Sequence, residues 1–288
     1  MIIAMAAFAI EDSLIKAISE KLQIGHILFI IGLGGSFIFA ALVLIKKERI
    51  LFLEVLSGPM NLRIIAEVIG RVFYSLALAL TPLSSTTIIL QATPIVVVVG
   101  ASIFFKEKVS LIRWLAILIG MVGVLIIVQP GTDSFSVFSM LAVIGMAGFA
   151  ARDLASRAAP KALQIFTLGL HGFLSLSLAG FILTLFSEHS FILPDRVTSI
   201  YLVAAIFAGV IGYSGLIKAM RLGEVSAITP FRYTRLLFGI GIGVFIFSET
   251  IEFSTVLGCA IILSSSFFVV WSGRGNSFSN RKSGKSDA

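Results

Sequence analysis

The chain has 288 residues, of which 58% are hydrophobic and only 13% charged, with a mean hydropathy of +1.06. A soluble domain is nearer half apolar and a quarter charged, so the composition excludes an ordinary water-soluble fold and points to a membrane protein. The net charge of +7 does not indicate nucleic acid as a partner, because the basic residues fall in short clusters between apolar runs, and the single Cys259 excludes a disulfide framework or a cysteine-rich metal site.

A bilayer core of about 30 Å takes about 20 apolar residues in a helix. The apolar runs predict helices over 2–18, 24–45, 64–80, 84–105, 111–128, 135–156, 163–186, 197–219, 225–247 and 252–271. The first is short at its start. It lacks a basic flank and a small-residue cleavage site, and similar segments follow it, so it reads as a membrane helix and not as a signal peptide. The runs are continuous, unlike the alternating ten-residue strands of a barrel, so the class is all-α. The Ser/Gly/Lys/Arg-rich stretch 272–288 predicts a disordered basic tail.

Lysine and arginine then set the orientation. With the N-terminus in the cytoplasm, sixteen of the 22 basic residues fall on inner loops, inner helix ends or the tail. Arg63, Arg152 and Arg157 are counted among them. Only Lys16, Lys21 and Arg196 fall outside, while Arg71, Arg232 and Arg235 lie within helices. Both termini are therefore expected in the cytoplasm, in a multi-pass protein of the inner membrane.

An internal repeat organises the chain. "FAIEDSLIKAISEKLQI" from Phe8 recurs as "FAARDLASRAAPKALQI" from Phe149, with Asp12 and Asp153 141 positions apart. Glu11 and Arg152 are the members that differ, acid in one copy and base in the other. A second pairing sets 84–107 on 226–249 without gaps, and both end in Phe-x-Glu, at Glu107 and Glu249. Two halves of five helices are implied, 1–130 and 131–271. An odd number per half turns the second half over in the membrane, the inverted-repeat plan of secondary transporters.

At these residues the chain resembles a known family. "LSSTTIILQATPIVVVVGASIFFKEKVSLIRWLAILIGMVGVLIIVQPG" looks like the end of an EamA domain of the drug/metabolite transporter superfamily, and "ITPFRYTRLLFGIGIGVFIFSETIEFSTVLGCAIIL" looks like the end of a second one. The resemblance spans nearly the whole chain. It implies ten transmembrane helices in two inverted five-helix EamA-like repeats, and a carrier of small organic molecules, with no cofactor. Members are similar to exporters of amino acids and importers of nucleotide-like metabolites or vitamins.

Ionisable side chains inside membrane helices cost at least about 2.5–3.5 kcal/mol each on insertion scales, so they face the bundle interior and find partners. Glu67, Arg71 and Tyr74 share one face of the third helix at spacings of four and three. Adding 142 maps Arg71 onto Tyr213 and Glu67 onto Gly209, which favours a polar cavity wall at 71 and 213. In "PFRYTR", Phe231, Arg232, Tyr233 and Arg235 follow Pro230, whose missing donor frees local carbonyls. Arg232, Tyr233 and Arg235 align with Leu90, Gln91 and Thr93, so charge appears in one half only; guanidinium there suits an anionic part of a substrate.

Asp153 pairs in sequence with Arg157, as Asp12 does with Lys16, at the favourable i, i+4 spacing. Those pairs read first as helix-end anchors, with Arg152 or Asp153 still able to reach the cavity. His171, within the seventh helix, and Glu67 are the candidates for proton coupling. "GGSFIFA", "GMVG", "GMAGFA" and "GIGIGVF" read as packing seams, and Glu107 and Glu249 as helix-end ties.

A secondary carrier is thus the expectation, its partners a small-molecule substrate and the lipid bilayer, as monomer or homodimer. An intramembrane enzyme is the alternative, but no H-E-x-x-H, Cys/His cluster or Ser–His pair with an orienting acid occurs. A channel would favour rings of like charge, whereas these charges are mixed, and no G-x-x-x-x-G-K-[ST] supports an ATP-driven pump.

Overall fold

The structure is a computed structural model that describes residues 1–19, 21–48, 57–80, 89–128, 138–160, 162–186, 194–222, 225–247, 253–254 and 256–265. The predicted tail, Glu249 and residues 84–88 of the predicted fourth helix lie outside the described residues.

Among the described residues every regular element is a helix, in the order α1 (Ile2–Ser19), α2 (Ile24–Ile45), α3 (Gly58–Leu80), α4 (Thr93–Phe104), α5 (Leu111–Val128), α6 (Ser139–Ala158), α7 (Ile165–Leu185) and α8 (Arg196–Leu222). A broken segment follows: one α-turn at Val225–Ile228, a 3₁₀ stretch at Thr229–Tyr233 and α9 (Thr234–Phe247). The last helix is α10 (Val256–Ser265). The sequence reading of one continuous helix over 225–247 is corrected here. Pro230 sits at the start of the 3₁₀ stretch and removes a backbone donor, while Thr229 and Thr234 turn their hydroxyls onto the carbonyls of Val225 and Phe231 at 2.6 Å each.

α2, α7 and α8 are long and apolar enough to cross a membrane. α1, at 18 residues, is about 27 Å long at the helical rise. Several hydroxyls within these helices are satisfied locally. Ser36, Ser175 and Thr184 donate to the carbonyls four residues back, at 2.7, 2.8 and 2.9 Å. Large apolar side chains such as Phe37, Phe104, Phe186, Phe207 and Phe245 stand exposed on the outside of the bundle. So much exposed apolar surface suits hydrocarbon and not water.

α2 packs along α7, α3 along α6, and α1 along α8 and α9; α3 also meets α7, α2 meets α8, and α4 meets α6. Small residues permit the closest crossings. A Cβ on Gly32 would come within 2.3 Å of the Ser177 backbone on α7, and one on Gly148 within 2.7 Å of Gly70 on α3. Gly145 and Gly148 are thus a packing seam, as are Gly120 and Gly123 on α5, which face Tyr233 and Gly258–Ile262. Gly239 and Gly241 differ: among the described residues nothing lies within 4 Å of a Cβ at either.

Helix ends are tied by charge. Glu48, beyond α2, accepts the Phe166 and Thr167 backbone N–H groups at 3.3 and 2.8 Å and the Thr167 hydroxyl at 2.8 Å, capping α7. Arg157 at the end of α6 donates to the Met220 and Arg221 carbonyls that end α8 (3.0 and 3.4 Å), and Arg221 answers with bonds to the Leu163, Pro160 and Ala159 carbonyls. Glu107 joins this corner, 3.5 Å from Arg157 and accepting the Val225 N–H at 3.2 Å.

Candidate functional site

The centre of the bundle holds a closed polar knot. α3 brings Arg63, Glu67 and Arg71 to one stripe at spacings of four, the helical repeat that stacks side chains on a face. α6 brings Arg152, Asp153 and Ser156. α8 brings Tyr213, and the 3₁₀ stretch brings Arg232.

Glu67, fully buried, is its hub. Arg152 Nη1 donates to both of its carboxylate oxygens at 3.2 and 3.4 Å, Arg71 Nε to Oε1 at 3.2 Å, and the Tyr213 hydroxyl to Oε2 at 2.6 Å. Arg152 also binds Asp153, with Nη2 at 2.7 Å from Oδ1, and Arg232 closes on the other oxygen of Asp153. Arg63 supports the far side. Its Nε donates to Ser156 at 2.9 Å, and its Nη2 donates to the Leu168 carbonyl at 2.8 Å and the Tyr213 hydroxyl at 2.9 Å. Phe149 lies under the guanidiniums of Arg152 and Arg71, at 5.1 and 5.6 Å.

A second, more open group lies beside the knot, between α1, α3 and α9. Arg235 makes a two-pronged contact with Asp12, Nε to Oδ2 at 2.7 Å and Nη2 to Oδ1 at 2.6 Å, while its guanidinium stacks over Phe8 at 5.1 Å. Glu11 is buried and lies in the field of Arg71, Arg235, Asp12 and Glu67. Its Oε1 would stand 2.9 Å from a Cβ at Gly209 on α8, so the glycine makes room for it. Tyr74 packs edge-on against Phe149 at 5.7 Å and is electrostatically coupled to Asp12, Arg235 and Arg71.

The structure therefore gathers Glu67, Arg71, Tyr74, Asp153, Tyr213, Arg232 and Arg235. It places Tyr233 elsewhere, buried against α5 with its hydroxyl on the Ile117 carbonyl at 3.2 Å. His171 holds its own turn of α7, with Nδ1 2.8 Å from the Thr167 carbonyl. Gln91 lies on the turn leading into α4, and Phe231 is half-buried in the 3₁₀ stretch.

Arg63, an inner-end charge by the sequence count, is corrected to the buried interior, and Arg152, counted there but able to reach the cavity, is buried too. The i, i+4 pairings of Asp153 with Arg157 and of Asp12 with Lys16 give way as well. Asp153 turns to Arg152 and Arg232, Arg157 to Glu107, and Asp12 to Arg235. The spacing 63–67–71 was the signal that would have found Arg63.

A cluster of mixed, mostly paired charge inside an apolar helical bundle is what a membrane protein handling polar solutes needs. The profile of the EamA-like transporter family matches residues 1–129 and again residues 137–271. The chain belongs to the EamA-like transporter family. This transporter is 22% identical over 283 residues to an S-adenosylmethionine uptake transporter of Rickettsia prowazekii, covering 94% of its own chain and 91% of that protein. It is 28% identical over 224 residues to a riboflavin transporter of Vibrio cholerae, covering 73% and 70% of the two chains. It is 23% identical over 274 residues to the pseudopaline exporter CntI of Pseudomonas aeruginosa, covering 91% of each. A crystal structure described only as that of a protein superposes with a TM-score of 0.81 at 16% identity, covering 95% of this chain and 97% of that one, a likeness of fold. The transporter is thus a multi-pass membrane protein of the drug/metabolite transporter superfamily that moves small molecules.

Proposed function

We propose that this transporter is a secondary carrier that moves a small organic metabolite across the inner membrane by alternating access between two inverted five-helix halves, with both termini in the cytoplasm. The observation that carries this reading is the polar knot on α3, α6, α8 and the broken ninth segment, because a site between halves needs fixed charge at the bundle centre and irregular backbone beside it.

The packing supports two related halves. Under the 141–142 register, α1 on α8 corresponds to α6 on α3, α1 on α9 to α6 on α4, and α2 on α7 is its own counterpart. The family profile also fits twice. The reciprocal Arg157–Arg221 corner and Glu107 suit a seal on the side where α6 and α8 end. Glu67 and Asp153 are held by arginines, so each would have to give up a bond to carry a proton, whereas His171, with Nδ1 on the Thr167 carbonyl, could take one at Nε2 and keep that bond. One chain supplies both halves, so a monomer suffices. The relatives are transporters, which weighs against the intramembrane enzyme.

Relatives that carry S-adenosylmethionine, riboflavin and pseudopaline set the substrate range as polar organic metabolites. Purified protein in liposomes, offered labelled S-adenosylmethionine and riboflavin, tests this reading. Saturable uptake accelerated by unlabelled solute inside is expected of a carrier. Linear flux without counterflow would replace the carrier with a channel.

A further inference from the structure

The open group around Asp12 and Arg235 forms a bay, those two side chains being 52% and 33% exposed. Charges so exposed are not stable against hydrocarbon, so the bay is open to water. The end of the bundle where α6 and α8 stop is shut. α3, α4 and α6 pack as one group, and α1, α8 and α9 as another. Glu67 and Arg63 join the groups through Tyr213, Asp153 through Arg232, and the corner of Arg157, Arg221 and Glu107 joins them at the end itself. Along the broken ninth segment Val225 stands in the corner, Arg232 in the knot and Arg235 in the bay. Corner and knot therefore close that end in series.

Two hooks of the same build hold this end. Lys47 and Lys106 both have left-handed backbone, with φ of 53° and 54°, each just beyond a helix. Each is followed by a glutamate that reaches to backbone N–H groups in the second half. Glu48 takes those of Phe166 and Thr167, and Glu107 takes that of Val225. A left-handed lysine crowds its Cβ against the next carbonyl, a strain that glycine lacks there. The hooks differ in what they join. Glu48 is buried and spans α2 and α7, which lie backbone against backbone at Gly32 and Gly180. Glu107 holds Val225 at 3.2 Å and Arg157 at 3.5 Å, across the seam between the two groups.

We propose that Lys106–Glu107 is the releasable latch of this end and that Lys47–Glu48 is its fixed pin. The inference rests on the alternating-access reading above and names the residues that set its equilibrium. Glu107 and Arg157 both belong to the α4 and α6 side, so they leave Val225 together and no charge is stranded. Arg221 leaves with α8. The groups they give up are at helix ends, where water replaces each bond. Lys106 is then free to leave its left-handed backbone, so relief of strain opposes the hold of its neighbour. Releasing Glu48 would instead leave buried N–H groups of α7 without their acceptor, the costly outcome.

The experiment reads access to the corner in the purified protein. In a Cys259→Ser background, Ala159→Cys sets a thiol at a buried residue whose carbonyl takes Arg221, and its labelling by a polar maleimide is timed. Glu107→Ala should raise the rate about fivefold, the worth of one hydrogen bond. Lys106→Gly should lower it, while Lys106→Ala, which loses the same charge and keeps the strain, should not. Glu48→Ala should lower the melting temperature and leave the rate at the parent value. If Ala159→Cys does not insert, hydrogen exchange at the Val225 amide reads the same opening. An unchanged rate in Glu107→Ala overturns the latch. So does a Lys106→Gly rate at or above the parent, or a Glu48→Ala rate that rises as Glu107→Ala does. Liposome flux is scored separately. Counterflow with labelling indifferent to Glu107 removes the latch alone, and labelling as expected with linear flux removes the carrier alone.

Discussion

The knot around Glu67 and the bay around Asp12 are built from the same residue types, yet they differ in how completely those residues are used. In the knot, Glu67 answers two arginines and a tyrosine, Asp153 answers two arginines, and both carboxylates are buried. In the bay, Glu11 has no bonded partner among the described residues, Arg71 is held through Nε, and the Asp12–Arg235 pair is open. The register that maps Glu11 onto Arg152 and Glu67 onto Gly209 makes the contrast sharper. Where one copy sets an arginine on a glutamate, the other sets a glutamate on a glycine. A satisfied network fixes helix positions; an unsatisfied one has bonds to give a ligand. One sequence element is thus closed by its partners in one half and left partly open in the other.

The largest expected effect breaks the knot. Glu67→Ala removes the acceptor of Arg71, leaves Arg152 with Asp153 alone and takes the Tyr213 hydroxyl's acceptor, and removing one member of a buried ionic group costs about 3–5 kcal/mol. Unfolding in detergent should show a correspondingly lower midpoint. Stability close to that of the parent would mean that the knot is not the brace described here.

Next comes the crossing that holds α3 on α6. Gly148→Ala places a methyl group 2.7 Å from Gly70, and overpacking of this kind costs about 1–3 kcal/mol. The melting temperature should fall, while a second small-residue site with open space, Gly239→Ala, should leave it unchanged. A Gly148→Ala protein as stable as its parent would show that the two helices can part without penalty.

In the bay the prediction reverses. Asp12→Asn removes an exposed pair, worth about 0–1 kcal/mol in stability, but transport should fall by far more than that figure implies. Loss of stability in step with transport would make Asp12 a brace like Glu67 and erase the comparison.

The smallest effect lies outside both regions. Asp195 precedes α8, where its carboxylate accepts the Thr198 N–H at 3.0 Å and meets Lys21 at 3.5 Å. The hydrogen bonds from Thr198 hold its pKa below the usual carboxylate value. Its stabilising contribution is therefore present above the unfolded carboxylate pKa and is lost as pH falls through the lowered folded value. Asp195→Asn should flatten this acid-side slope slightly in a pH series of melting curves, with no change near neutrality in the knot or the bay.

Much of the knot could be read from spacing. Glu67 and Arg71 are one helical turn apart, and Tyr213 follows from the register. Arg63 was assigned to the inner surface because the apolar run begins at 64. The helix begins earlier, at Gly58 with Pro59 at its first turn, where a proline starts a helix without losing a bond, and those added residues carry Arg63 inside. Arg152 lies six residues from the end of α6, near enough to a surface for a charge count to misplace it. Asp12 shows the other limit. Lys16 is its neighbour on the helix, but Arg235, 223 positions away, is its partner, because α9 crosses α1 at that level.

Hydropathy, the 141-position echo and the EamA-like motifs were local or additive properties, and the sequence by itself therefore determined the membrane class, the helix order and the family. Which charge meets which is a property of helix crossings, and those depend on where Gly32, Gly70, Gly148 and Gly209 let backbones and side chains approach. Only the tertiary structure decided that Asp153 would be closed by two arginines, that Asp12 would reach Arg235, and that Glu11 would be left facing the bay.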